Sequence, residues 1–312
     1  MFIDRLIDRI KETGNPTVAG LDPRLEYVPE HIRKKAFGEY GTGFEGAAAA
    51  ILEFNTGLID ALSDIVPAVK PQLAYYELYG PEGLKTFNET VKYAKGRGLL
   101  VIADGKRNDI GSTAEAYSSA FLGRSCLDGG QEPVFDADAL TVNPYLGIDG
   151  VKPFIEDCSK YGKGIFVLVK TSNKSSGQLQ DLRTESGKTI YETVAALVHE
   201  WGAPLTGRYG YSAIGAVVGA TWPEQASELR KIMKNTYILV PGYGAQGGSA
   251  ADAARSFNGD GLGAIVNASR SIMCAWQSPK RSGIYDGKDY AKAARAEAIN
   301  MRDELKKAIG WA

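Results

Sequence analysis

Residues 99–120 read LLVIADGKRNDIGSTAEAYSSA. An aliphatic run over residues 99–103 ends in Asp104, Gly105, Lys106, Arg107, Asn108 and Asp109. A short apolar run bounded by glycine and polar residues predicts a buried strand. Side chains alternate across a strand, so Leu100, Ile102, Asp104 and Lys106 are expected on one face. A carboxylate and an ammonium then project side by side from the strand's C-terminal end, and Asp109 follows in a loop. Ser112 or Thr113 is the predicted N-cap of the next helix, with Glu115 in its first turn. Two acids around a lysine at a strand end mark a reactive place.

Seven further apolar segments predict strands, over residues 17–22, 66–72, 139–145, 164–172, 213–221, 236–244 and 263–269. Helical patterns lie between them, near 45–62, 81–95, 151–159, 190–201 and 223–234, with a short one after Ser249 and a charged one over 289–309. Residues 24–44 read as an irregular, charged and aromatic excursion. Eight strands alternating with helices predict a parallel α/β fold, and eight closes a (β/α)8 (TIM) barrel. The rival, an open doubly wound sheet, wants a glycine fingerprint after its first strand, and none follows Asp22. No linker-like segment interrupts the chain, so one domain is expected, with an N-terminal helix and loop insertions.

Composition narrows the function classes. The 312 residues are 44% hydrophobic, with 36 basic and 37 acidic residues and a net charge of −1. Such a balance gives no reason to expect nucleic acid or an anionic membrane as a partner. Cys126, Cys158 and Cys274 are odd in number and widely spaced, which predicts reduced thiols in a cytoplasm rather than disulfides or a metal site. The N-terminal MFIDRLIDRIKET reads as an amphipathic helix, not a signal peptide. No apolar run approaches the ~18 residues of a membrane span.

In a (β/α)8 barrel the active site is built from C-terminal strand ends and the loops after them. Here those ends carry Asp22, Lys70, Asp104 with Lys106, Asn143, Thr171 with Ser172, the glycine-rich residues 242–248, and Ser269 with Arg270. A single charged residue there is ordinarily a solvated strand terminus. Four charges at one barrel mouth have no structural need. The sequence GYGAQGGS from Gly242, followed by a helix, offers backbone amides and a positive helix end to an anion. Arg270 adds a fork of donors matched to phosphate oxygens. Barrels frequently bind phosphate with their seventh and eighth loops, where these two features coincide. His31 and His199 lie away from strand ends, so histidine chemistry is not expected, and no His/Asp/Glu set has metal spacing.

The segment from Asp104 to Ile110 resembles the D-x-K-x-x-D-I signature of the orotidine 5′-phosphate decarboxylase family. The resemblance extends to LDP at 21–23, VKPQ at 69–72, LVKTSN at 168–173, VPGYGAQGG at 240–248 and VNASR at 266–270. It is similar above all to the longer bacterial branch, which accounts for the excursions at 24–44 and 124–136. The resemblance implies cofactor-free decarboxylation of orotidine 5′-monophosphate to uridine 5′-monophosphate in pyrimidine biosynthesis, by a homodimer with shared active sites. Lys106 would then protonate C6, Asp104 would sit against the substrate carboxylate, and Asp109 would reach the partner's site with Thr113 nearby. Asp22 and Lys70 would bind the ribose. Ser172 would read the pyrimidine edge, with Thr171 the alternative. Gln246 and Arg270 would close over the phosphate. Gly111 and Ser112 depart from many relatives, which have Pro and then Asn or Gly there.

The chemistry needs such residues. Loss of carbon dioxide at that carbon, with no electron sink, leaves a poorly stabilised carbanion, and a fixed cation is the available remedy. One unit-charge contact at ~4 Å and an effective dielectric of ~20 contributes about 4 kcal/mol, or roughly three powers of ten in rate. Binding energy from the remote phosphate is the natural source of the remainder. Three other readings stay open on sequence: a magnesium-dependent sugar-phosphate decarboxylase or aldolase sharing D-x-K-x-x-D, a Schiff-base aldolase using Lys106 or Lys170, and a phosphate-binding barrel without chemistry.

Overall fold

Eight parallel strands close into a barrel in the computed structural model, which describes residues 1–279 and 283–311. β1 (Thr17–Leu21), β2 (Ala68–Pro71) and β3 (Leu100–Arg107) stand side by side. A small antiparallel hairpin outside the barrel follows, β4 (Ser125–Leu127) and β5 (Gly130–Glu132). β6 (Ala139–Val142), β7 (Gly164–Lys170), β8 (Ser212–Val218), β9 (Thr236–Val240) and β10 (Ala264–Ala268) complete the circle, and β10 pairs with β1. All eight predicted strands are present, in the predicted order.

The strands are nearly continuous apolar runs because both faces are buried. Val101, Ala103, Leu140, Val167, Ile214 and Val266 face the surrounding helices. Val18, Leu100, Ile102, Phe166 and Leu239 face the barrel interior. The helix Phe2–Thr13 closes the N-terminal end of the barrel. Its Phe2, Ile3, Leu6, Ile7 and Ile10 recur at helical spacing and pack onto that interior layer. Each such burial contributes roughly 1.5–3 kcal/mol. Asp138 ties the plug to the barrel: its Oδ1 accepts from Arg5 Nη1 at 2.8 Å and its Oδ2 from the Val101 amide at 3.0 Å. The opposite, C-terminal mouth is therefore the end free for a ligand.

Three expectations are corrected. Residues 24–44 are not irregular throughout. They hold a 3-10 turn, Leu25–Tyr27, and a helix, Glu30–Tyr40, which starts after Pro29 and buries Ile32 and Ala36 in the core it shares with the helix Phe44–Leu62. The third strand runs beyond Ala103 to Arg107. The helix after it is Gly111–Phe121, so neither Ser112 nor Thr113 is its N-cap and Glu115 is not in its first turn. Gly111 makes the turn with φ +53°, and Asp109 Oδ1 takes the Ile110 amide at 2.8 Å, so the helix begins before the hydroxyl residues are reached.

Candidate active site

The C-terminal mouth opens into a cavity of about 650 Å³. Of the nine site residues expected from sequence, Asp22, Lys70, Asp104, Lys106, Ser172, Gln246 and Arg270 line it. Thr171 lines it as well.

Asp104 is the centre of the charged cluster. The pleat of β3 turns it inward after Leu100 and Ile102, and only 6% of the residue is exposed. Its Oδ2 accepts from Lys70 Nζ at 2.5 Å and Gln72 Nε2 at 2.9 Å. Its Oδ1 accepts from Lys106 Nζ at 2.6 Å and the Thr141 hydroxyl at 2.9 Å. Burial alone would raise this carboxyl, but Lys70 and then Lys106 outweigh it and hold Asp104 well below the ordinary carboxylate range. Burial works against the charge of Lys70 too, yet Asp104 and Asp22 more than offset it and raise its pKa. Asp22 goes the other way. Burial pushes its carboxyl up, and Lys70 and the Ser269 hydroxyl offset this only in part. The result is a row of alternating sign, with one acid firmly ionised and one destabilised as an anion.

On the opposite wall, β7 ends at Lys170 and passes into Thr171 and Ser172. The Thr171 amide donates to Gln180 Oε1 at 3.0 Å, and Gln180 Nε2 returns a bond to the Thr171 hydroxyl at 2.8 Å. That hydroxyl donates to Asn173 Oδ1 at 2.7 Å. Thr171 is thus committed to its own loop, whereas the Ser172 hydroxyl has no partner among the described residues. Lys170 is fully buried and points away from the cavity. It pairs with Asp181 at 2.5 Å and lies 4.6 Å from the Trp222 ring centre, while Trp222 Nε1 donates to the Thr171 carbonyl at 2.9 Å. Trp222 is the N-cap residue of the helix Pro223–Ile232 and also braces this loop.

The glycine loop after β9 closes the far side. Gly242 has φ +94°, and a Cβ there would stand 3.2 Å from the Ser172 Cβ and 3.5 Å from Gln246 Oε1. Glycine is needed for both the backbone and the approach. Arg270, exposed at the start of the short helix Arg270–Met273, reaches the Ala245 carbonyl at 3.4 Å. The expected positive helix end is not delivered. The helix after Ser249 spans only Ala250–Ala254, its first turn is closed by a Ser249–Asp252 capping box, and its residues do not line the cavity. Several loop amides also turn inward, Gly244 to Gly248 and Gly248 to Gly242. Arg270 and Gln246 line the cavity there with side chains that can donate to an anion.

Asp109, Thr113 and Asn143 do not line this cavity. Asn143 Oδ1 accepts the Tyr145 amide instead. Among the polar wall residues that went unread in the sequence are Gln72, Thr141, Asn267 and Tyr27. A polar side chain at an inward strand position was the available signal for the first three. Asp22 Oδ1 and Asn267 Oδ1 are buried acceptors without a partner. Among the described residues no cluster of His, Cys, Asp and Glu is arranged to hold a metal, and no helix is long and apolar enough to cross a membrane.

Known proteins are similar to this chain along its whole length. An orotidine 5′-phosphate decarboxylase of Rhodopirellula baltica is 47% identical over 305 residues, spanning 98% of this chain and 99% of that protein. One of Caldicellulosiruptor saccharolyticus is 42% identical over 308 residues, 99% of each. The solved structure of Leishmania donovani OMP decarboxylase superposes with a TM-score of 0.70 at 30% identity, covering 97% of this chain and 99% of that one. The profile of the orotidine 5′-phosphate decarboxylase / HUMPS family matches residues 50–282, and the chain belongs to that family.

Proposed function

We propose that this chain decarboxylates orotidine 5′-monophosphate to uridine 5′-monophosphate in pyrimidine biosynthesis, with Lys106 as the proton donor. The observation that carries the reading is the Asp104 carboxylate, ionised and held between Lys70 and Lys106 at the mouth of the barrel. Family membership and the full-length decarboxylase relatives support the reaction itself.

The steps follow from charge. The carbon–carbon bond between C6 and the substrate carboxylate breaks, and its electron pair stays on C6 as carbon dioxide leaves. The Lys106 ammonium, within reach of Asp104 and open to the cavity, stabilises that pair and then protonates C6. The neutral amine regains a proton from water. Fixed negative charge on Asp104 disfavours a carboxylate beside it but not neutral carbon dioxide, so the interaction favours the transition state over the bound substrate.

Binding is divided along the cavity. Asp22 Oδ1 and Asn267 Oδ1, acceptors lacking donors, suit ribose hydroxyls, with Lys70 beside Asp22. Ser172 rather than Thr171 reads the pyrimidine edge, because the Thr171 hydroxyl is already committed. Gln246 and Arg270 take the phosphate. No metal or organic cofactor enters these steps.

Asp109 and Thr113 serve the site of a second copy. Asp109 lies outside its own cavity, and beside it Ile110 is 56% exposed and Tyr145 76%, with Leu146 and Ile148 also exposed. Leu146, Asn108 and Asp109 all border Gly150, so the acid and this apolar face adjoin. A face of that kind favours a partner, here a homodimer with shared sites. The chain is read as one barrel domain, and its free cysteines support a cytoplasmic location.

The test is the ultraviolet absorbance change of orotidine 5′-monophosphate with purified protein in excess EDTA. Conversion to uridine 5′-monophosphate is expected. No conversion, with turnover of a sugar phosphate once magnesium is restored, would overturn the assignment.

A further inference from the structure

The geometry points to Thr141 as a positioning residue that holds the Lys106 main chain and the Asp104 carboxylate in one arrangement for proton transfer. This deepens the decarboxylase reading and rests on it.

Lys106 has φ +46°, and only Asp136 is another non-glycine residue at positive φ among the described residues. For a lysine this conformation costs roughly 1–2 kcal/mol, so its surroundings must impose it. They do so through a bulge. Pairing of β3 with β6 is regular to Ala103↔Leu140 and resumes only at Arg107↔Val142, so β3 advances four residues while β6 advances two. Inside the bulge the Lys106 amide donates to a side chain of β6, Thr141 Oγ1, at 2.9 Å. A hydroxyl has one proton to give, and Thr141 donates it to Asp104 Oδ1 at 2.9 Å. Lys106 Nζ donates to that same Oδ1 at 2.6 Å. One hydroxyl therefore closes a ring that runs from the Lys106 backbone through Thr141 and Asp104 to the Lys106 ammonium.

Simple alternation along a strand would put Lys106 on the inner face, yet a regular ladder would leave its main chain elsewhere. The bulge makes the distance, and Thr141 occupies the amide that the bulge frees. Thr141 is 1% exposed and β-branched, so its hydroxyl has little freedom to move. Asp104 keeps two donors on each oxygen only while Thr141 is present, and loss of one lets the carboxylate turn with Lys70. Thr141 acts through Asp104 and Lys106, not on the substrate, so the rate of the chemical step should depend on it more than binding does.

The experiment compares wild type, Thr141→Val, Thr141→Ala and Thr141→Ser, reading kcat, KM, uridine 5′-monophosphate affinity and melting temperature. Loss of a hydrogen bond to a charged group predicts a fall in kcat of about 10- to 100-fold in Val and Ala. KM and product affinity are expected to stay within about threefold, and serine to recover most of the lost rate. Ala carries the comparison if Val does not fold. The proposal is overturned if the hydroxyl-free variants keep wild-type kcat, if serine is as impaired as they are, or if product affinity falls as far as kcat. Wild type failing to turn over orotidine 5′-monophosphate would instead overturn the decarboxylase reading.

Discussion

Lys106 Nζ lies 2.6 Å from Asp104 Oδ1, yet the lysine side chain is 47% exposed and the aspartate side chain only 9%. The carboxylate is fixed inside the barrel wall, with Lys70 as a second, buried partner. The ammonium faces the cavity. A buried anion that stays in place beside a cation with access to substrate is the arrangement a proton donor needs.

Replacing Lys106 by alanine should therefore separate chemistry from folding. Asp104 keeps Lys70 and two neutral donors, so the melting temperature should move by no more than a few degrees. Turnover should fall at least about 10³-fold, the worth of one unit-charge contact at an effective dielectric of ~20. A thermal scan and the initial absorbance rate check both halves, and normal activity would remove Lys106 from the reaction.

The two cavity acids should respond to pH with opposite signs. Asp104 is depressed, so its stabilisation is present above the ordinary carboxylate range and is lost only in strong acid. Asp104→Asn should destabilise the fold at neutral pH by about 3–5 kcal/mol, because it removes the hydrogen-bonded carboxylate from the buried Lys70. Asp22 is raised, so its ionised form costs stability above its folded pKa, and the cost vanishes as pH falls below the ordinary value of 3.8. Asp22→Asn should raise the melting temperature at pH 7 and converge on wild type near pH 4 and below, while KM rises. Melting curves from pH 3 to 8 decide it, and a variant less stable than wild type at pH 7 would contradict the sign.

Arg270 is exposed and makes one long contact, to the Ala245 carbonyl. Its loss should leave stability alone and act on substrate binding. A charge-assisted hydrogen bond is worth about 1.5–3 kcal/mol, so Arg270→Ala should raise KM roughly 10- to 100-fold. The fall in kcat should be smaller. An unchanged KM would remove Arg270 from phosphate binding.

Mixing inactive chains tests whether sites are shared. For the proposed homodimer, the Lys106→Ala and Asp109→Ala proteins should each be nearly inactive. With random exchange at equal amounts, half the dimers are mixed and one of their two sites is intact, which gives about a quarter of wild-type activity. Subunit exchange demonstrated by tagged chains, without recovered activity, would show that each site is self-contained.

Much of this was legible in the residue order. The apolar periods marked all eight strands, and the acids, lysines and glycines at their ends marked the mouth. Other parts were hidden for identifiable reasons. The helix Glu30–Tyr40 is weakly patterned and depends on Ile32 and Ala36 meeting the helix Phe44–Leu62. Gln72, Thr141 and Asn267 looked like ordinary polar residues near strand ends, since their role depends on what the neighbouring strand places opposite them. The glycine loop looked ready to bind an anion with its amides, but several of those amides satisfy the loop's own carbonyls.

Local chemistry by itself determined the strand–helix alternation, the family signature around Lys106 and the end of the barrel that carries the charged strand termini, because strand period and motif spacing are short-range properties. Tertiary structure alone decided that Asp104 is ionised and doubly paired, that Thr141 meets both Asp104 and the Lys106 amide, and that Asp109 stands outside its own cavity. Those facts depend on closure of the barrel and on the register between β3 and β6. They set distances between residues more than 30 positions apart in the chain, and no local pattern records them.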